Sequence, residues 1–341
     1  MSKKVSQWLE RLNNLDLPTE IYQRLFAEIR DYSEIGRADS DSTEHYFEFV
    51  LRLPWGDQTI DSVDLDKARN LLDQKIYGHE TLKRLLLDQI AVENHLGKGK
   101  GKVMLLHGPS GTGKTHIAQC YAEATGKLFY PMRLGGLQDS MSILGTYRGY
   151  KNARSSYLMD YIARQGTKNI VVLLDEIDKL DPKNFIVQHA LLQLTDRTTG
   201  FIDGYLDLPF DLSQVTFIAT ANDISQITPA MLDRLDVIEV SAYSQDVLHQ
   251  IMMGYLIPKK MEEFDLLRLK IDILPDAYTA MRQWCLLGSV RHINHKIDEL
   301  FGFAIRKSLE NGTVTINKQD VLKREQQSLK ALCFESFDSV H

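Results

Sequence analysis

The 341-residue sequence predicts an α/β protein: a parallel sheet flanked by helices, preceded by a helical segment and followed by a smaller helical domain. Three observations carry this prediction. Short apolar runs recur at Val103–Leu106, Ile170–Leu174, Val215–Ala219 and Val237–Val240, and runs apolar on consecutive positions suit strands buried on both faces of a parallel sheet. Longer helical patterns such as His116–Thr125 and Ser156–Gln165 separate them. After Ser241 the strand signals stop, and Gln245–Tyr255, Asp276–Leu286 and Val290–Ser308 read as helices.

In chain order, Trp8, Leu9, Leu12 and Leu15 and then Ile21, Leu25, Phe26 and Ile29 repeat at near-helical spacing. The polar stretch Ser33–Thr43 reads as a loop and Tyr46–Leu51 as a short helix. Leu53-Pro54-Trp55-Gly56 breaks the period, and Asp64–Leu72 is helical again. The expected divisions are a helical segment over 1–75, an α/β domain over 76–242, a helical lid over 243–325 and a tail over 326–341.

Composition narrows the class. With 43% hydrophobic and 25% charged residues, the chain is neither disordered, collagen-like nor a disulfide-stapled mini-domain. Forty basic against forty-six acidic residues give a net charge of −6, which argues against a nucleic-acid partner. Cys120, Cys285 and Cys333 are odd in number and widely spaced, so reduced thiols are expected. No apolar run reaches the roughly eighteen residues of a spanning helix. The start MSKKVSQWLERL lacks the apolar core of a secretory signal, so the expectation is a cytoplasmic protein without a membrane segment.

The sharpest signal is Gly108-Pro109-Ser110-Gly111-Thr112-Gly113-Lys114-Thr115, a G-x-x-x-x-G-K-[ST] loop entered from an apolar run and left by a helical pattern ending at Gly126. Glycines let successive N–H groups face a phosphate at a helix N-terminus. Lys114 is expected to reach the β- and γ-phosphates of ATP, and Thr115 to offer a hydroxyl to Mg²⁺. The competing reading is a glycine-rich turn with an exposed lysine. Ser110 takes no nucleophilic role, because its backbone amide belongs to the phosphate cradle.

The apolar run Ile170–Leu174 ends in Asp175-Glu176. At the end of a buried strand, Asp175 is expected to hold Mg²⁺ through water, and Glu176 to orient or deprotonate the attacking water. A solvated acidic pair is the competing reading.

These residues, with Leu53-Pro54-Trp55-Gly56, Tyr77-Gly78, Leu134-Gly135-Gly136, Leu173–Lys179, Val215–Asn222, Leu232-Asp233-Arg234 and Leu256-Ile257-Pro258-Lys259, make the chain resemble the ATPase part of the Lon protease family, within the AAA+ superfamily, over roughly residues 10–325. The resemblance implies an AAA+ P-loop ATPase fold and further roles. Asn222 resembles sensor 1, hydrogen-bonding the γ-phosphate or the lytic water. Arg234 resembles an arginine finger that reaches a neighbouring subunit's nucleotide; a surface pair with Asp233 is the alternative. Arg291, in Gly288-Ser289-Val290-Arg291, resembles sensor 2, although Ser289 and His292 stand where the family has glycine. Tyr77 and Gly78 resemble the adenine-contacting segment, or Tyr77 is ordinary core. Gly145–Lys151 aligns with the first pore loop, in which Tyr150 takes the aromatic position that grips a polypeptide and Lys151 replaces an aliphatic neighbour. For Tyr150 the alternative is packing at a subunit interface.

The family's serine–lysine peptidase domain follows the lid, and eighteen residues from Arg324 to His341 cannot build one. Two function classes therefore compete. One is an ATP-driven ring, by family a hexamer, that unfolds, translocates or remodels protein substrates, alone or for a separate protease or effector. The other is an ATP-dependent oligomerisation switch or scaffold that regulates a partner.

Overall fold

The computed structural model describes residues 3–35, 40–56, 62–96, 103–181, 183–196, 200–266, 268–269, 271–286 and 288–324. The chain divides into two compact units. The first comprises Met1–Asp73, Thr81–His107 and Thr115–Glu239, and the second Gln74–Glu80, Gly108–Lys114 and Val240–His341.

The first unit opens with α1 (Lys3–Asn13), α2 (Thr19–Ile35), α3 (Ser40–Val50), α4 (Leu65–Lys75) and α5 (Glu80–Leu96). The polar stretch expected as a loop is helical over 33–35 and 40–43, and 36–39 lie outside the described residues. Polar residues such as Ser40, Asp41 and Ser42 belong to a helix's first turn as readily as to a loop, which is why composition misleads there. Trp8 is buried between Phe47 and Tyr32, with ring centroids 5.1 and 5.6 Å away. The Leu53–Gly56 break is pinned: the Trp55 indole donates to Val50 O at 2.9 Å, and buried Lys168 donates to Trp55 O at 3.3 Å.

The remaining elements of this unit are β1 (Val103–His107), α6 (Lys114–Ala124), β2 (Leu128–Arg133), α7 (Met141–Leu144), α8 (Tyr157–Gln165), β3 (Ile170–Asp175), α9 (Phe185–Thr195), β4 (Phe201–Ile202), β5 (Pro209–Phe210), β6 (Thr216–Ala221), α10 (Pro229–Leu232) and β7 (Leu235–Glu239). Five strands form one parallel sheet in the order β2-β3-β6-β1-β7. Residues 170–174 of β3 are fully buried, as their unbroken apolar run requires. Sequence reading missed β2. It is an edge strand with partly exposed faces, so it lacks an apolar run, and its outer side tolerates Pro131.

In the second unit, α11 (Gln245–Ile251) passes through a π-turn (Met252–Leu256) into α12 (Ile257–Glu263), and α13 (Pro275–Met281) precedes α14 (Val290–Asn311). Strands do not stop after Ser241. A two-stranded parallel sheet joins β8 (Ile271–Ile273) to β9 (Val314–Ile316), with α13 and α14 in the crossover. Three-residue strands are too short to show a period of two, so periodicity does not announce them. Residues 326–341, including Cys333, lie outside the described residues.

Candidate functional site

In the second unit the loop Gly108–Lys114 curls as its glycines allow. Gly108 and Gly111 adopt φ of +156° and +80°, a region costly for other residues. A Cβ on Gly108 would collide with the Val240 carbonyl, and one on Gly111 would lie 2.5 Å from Ser289 Cβ. Lys114 is buried at 8% exposure rather than solvated. Its ammonium donates to Gly108 O at 2.7 Å and Pro109 O at 2.9 Å. Thr112 Oγ1 donates to Pro109 O at 3.0 Å.

The same unit brings Arg291 to this loop. Its guanidinium lies 3.5 Å from Ser110 Oγ, and Val290 N donates to Gly111 O at 3.3 Å. Ser289 caps α14 by accepting from His292 N, so the serine found in place of glycine serves as an N-cap. Tyr77 is half-buried against the apolar core of this unit, with its hydroxyl beside Gly254, while Gly78 (φ +63°) faces Val247.

In the first unit, β3 carries the acidic pair and Thr115 is the second residue of α6. Thr115 Oγ1 lies 3.4 Å from Asp175 Oδ1. The Thr220 hydroxyl donates to Asp175 Oδ1 at 2.6 Å and accepts from Glu176 N at 2.9 Å. Glu176 itself sits at φ +60°, ψ +50°, a left-handed conformation that non-glycine residues hold at a cost of about 1–3 kcal/mol when surroundings impose it. Its carboxylate is exposed beside Gly135, where a Cβ would come within 3.3 Å. Neighbouring β6 ends at Ala221, and Asn222 follows. The N–H groups of Asn222 and Asp223 donate to Asp178 Oδ2 at 3.0 and 3.2 Å. Thr220 and Asp178 were not singled out from sequence. The signal was present in Ala219-Thr220-Ala221-Asn222 and Asp175-Glu176-Ile177-Asp178, but side-chain partnership across adjacent strands is a three-dimensional property.

The sequence model described as "ATPase family associated with various cellular activities (AAA)" matches residues 104–243. A mitochondrial Lon protease homolog of Yarrowia lipolytica is 35% identical over 307 residues, covering 88% of this chain and 26% of that protein. The Lon protease of Fusobacterium nucleatum is 33% identical over 325 residues, and that of Clostridioides difficile 31% over 335, covering 92% and 94% of this chain and 42% of each relative. This chain carries a Lon-type AAA domain. It spans about a quarter to two fifths of the length of these relatives.

Within the AAA domain, Arg234 follows α10. Its guanidinium donates to Leu192 O at 2.8 Å in the last turn of α9 and lies 3.5 Å from Asp196, so its ion-pair partner is Asp196 rather than adjacent Asp233. A cation at a helix C-terminus is favoured by the helix dipole. The loop from Gly145 to Ser156 is anchored at its base. The Asp203 carboxylate accepts from Ser156 N at 2.6 Å and from Tyr205 N and Leu206 N at 2.8 and 3.0 Å. Burial holds this carboxyl above its usual range even so. At the loop's tip Tyr150 is 70% exposed, with Lys151 exposed beside it. Among the described residues no helix is long and apolar enough to cross a membrane.

Proposed function

We propose that this AAA domain hydrolyses ATP and, assembled as a homo-oligomeric ring of six, uses the cycle to unfold, translocate or remodel protein substrates, alone or for a separate protease or effector. One observation carries the hydrolytic part: the linked series Thr115–Asp175–Thr220–Glu176, with spacings of 3.4, 2.6 and 2.9 Å. A hydroxyl and a carboxylate at that separation offer the hard oxygens that Mg²⁺ accepts alongside phosphates and water. Thr115 and Asp175 would hold the ion, which would neutralise charge on the phosphates. Thr220 fixes the backbone of Glu176, so its carboxylate is held ready to orient the attacking water and take its proton. Gly108–Lys114 supplies backbone N–H groups and an ammonium for the phosphates. Arg291 and Tyr77-Gly78 serve the nucleotide at the Gly108–Lys114 loop, and Asn222 senses the γ-phosphate. Arg234 stabilises the charge that develops on the phosphoryl group in a neighbouring subunit. The assigned residues are those of phosphoryl transfer; peptide cleavage is not assigned to them. The burial of Cys120 and Cys285 as thiols suits a reducing, cytoplasmic setting.

Exposed Tyr150 supports the substrate-gripping part. The basic neighbour Lys151, in place of an aliphatic residue, favours the second reading, an ATP-dependent switch or scaffold. One experiment separates them. Glu176→Gln should lower ATP turnover about 10²–10⁴-fold while retaining ATP. Tyr150→Ala should leave ATP turnover intact and abolish its stimulation by an unfolded polypeptide such as β-casein. Unchanged turnover in the first variant removes Glu176 from its role; unchanged stimulation in the second favours the switch.

A further inference from the structure

The loop that bears Tyr150 is fastened at a point its sequence does not advertise. Arg148 turns away from the tip and into a junction of three elements. Its guanidinium forks onto Glu28 of α2, with Nη1 2.9 Å from Oε2 and Nη2 3.5 Å from Oε1. Nη2 also lies 3.8 Å from Asp207 Oδ2, in the connection between β4 and β5. The guanidinium carbon sits 3.9 Å from the ring centroid of Tyr46 on α3. Arg24 closes the arrangement by donating to Glu28 at 3.2 Å and pairing with Asp207. Two guanidiniums and two carboxylates thus alternate around a neutral ring. Below it, Tyr46 is 2% exposed and its hydroxyl donates to Leu206 O at 3.2 Å, so the aromatic floor is itself tied to the β4–β5 connection.

The geometry around Arg148 differs from an ordinary surface ion pair. A lone exposed pair holds little, because two flexible side chains must be ordered in water. Here a planar fork meets a carboxylate and lies against an aromatic face, a combination lysine does not reproduce. The ends of the loop are fixed independently: Gly204 N donates to Leu144 O at 2.6 Å, and Asp203 holds Ser156 N. Between those ends the tip is a compact turn in which Tyr150 N donates to Tyr147 O at 3.0 Å and Ala153 N to Tyr150 O at 3.2 Å. Gly149 leaves room for the Tyr147 ring, which a Cβ would approach within 2.7 Å. Arg148 lies inside this turn, so whatever positions Arg148 positions Tyr147 and Tyr150.

We propose that Arg148 is the positioning residue of the gripping loop, and that the N-terminal helices set the place of the loop through Glu28 and Tyr46. The part of this that concerns grip rests on the substrate-remodelling function proposed above; the anchoring does not. In this arrangement a pull on a polypeptide held at Tyr150 is borne by α2 and α3 as well as by the loop's own ends. The N-terminal helical segment then acts as part of the gripping device rather than as a spacer.

The test uses the whole chain with Glu28→Gln as the leading variant, because Glu28 touches none of the residues assigned to ATP. Amide hydrogen exchange over 146–153 should quicken by about tenfold in Glu28→Gln, equivalent to about 1.4 kcal/mol of local opening, while exchange in β3 and β6 stays as in the parent. Arg148→Ala should quicken the same amides at least as much, and Arg148→Lys should not restore slow exchange. Unchanged exchange over 146–153 in Arg148→Ala overturns the proposal. With β-casein as probe, Glu28→Gln should raise the KM for stimulation of ATP turnover several-fold and leave turnover without casein within about twofold. Quickened exchange with an unchanged casein KM overturns the positioning of grip. If the parent protein shows no casein stimulation at all, the remodelling function fails, and quickened exchange still upholds the anchor.

Discussion

Asp178 has the most specific consequence among single side chains. Its carboxylate is buried, and Oδ2 accepts from the N–H groups of both Asn222 and Asp223. Oδ1 finds no partner among the described residues. Asp178→Ala would leave two donors without their acceptor, at a cost of about 1–3 kcal/mol. At about 2.1 cal/mol/K per residue, each kcal/mol is worth about 1–2 °C in a chain of 341 residues, so a melting curve should show a loss of about 1–4 °C. Because the lost contacts fix the backbone at Asn222, ATP turnover should fall more than ATP affinity. A variant with normal turnover at saturating ATP would place Asp178 among purely structural residues. Thr220 illustrates a limit of sequence reading at this scale: one hydroxyl serves both acids of the pair, and only the register of β3 against β6, with Leu174 beside Ala219, brings it there.

Among elements, the N-terminal helices carry a pH dependence of defined sign. Burial raises the Glu48 carboxyl on α3, but hydrogen bonds from the Trp8 indole at 2.7 Å and Arg11 at 2.8 Å outweigh it and leave the group below the usual carboxylate range. A carboxyl depressed in the folded state adds stability above its unfolded pKa and loses that contribution as pH falls through the folded value. The packing of α1 on α3, read by Trp8 fluorescence, should therefore be fully stabilised by this group above about pH 4.5 and weaken on acidification below it. Glu48→Gln should flatten that dependence; an unaltered acid transition would assign it to other groups. α1 and the first part of α2 were legible from apolar spacing, because their buried faces are regular. The start of α3 was not, because its first turn is polar. Edge strand β2 and the paired β8 and β9 were hidden for the opposite reason: mixed exposure and short length leave no periodic trace.

At the scale of the whole molecule, the proposed ring makes Arg234 the residue to test. It now caps α9 through Leu192 O and pairs with Asp196, contacts that must be exchanged before it reaches another subunit. Arg234→Ala should lower turnover by about 10³-fold or more if it completes a neighbour's site. Mixing it with Lys114→Ala, which the proposed role of Lys114 makes inactive in its own loop, should give activity that departs from the simple average of the two. Activity that follows the average would make Arg234 a local cap only. The curl of Gly108–Lys114, the acidic pair at the end of β3 and the strands β1, β3, β6 and β7 with helices between them were legible in sequence alone, because each depends on local chemistry: glycines that permit a curl, apolar runs that bury, and a lysine and hydroxyl at fixed spacing. Tertiary structure alone decided that Thr220 joins Asp175 to Glu176, that Asp178 holds Asn222, and that Arg148 of the loop stacks on Tyr46 and grips Glu28, 120 residues away. These partnerships join residues far apart in the chain, and their spacing in sequence carries no trace of the hydrogen bonds and charge contacts that folding brings within reach.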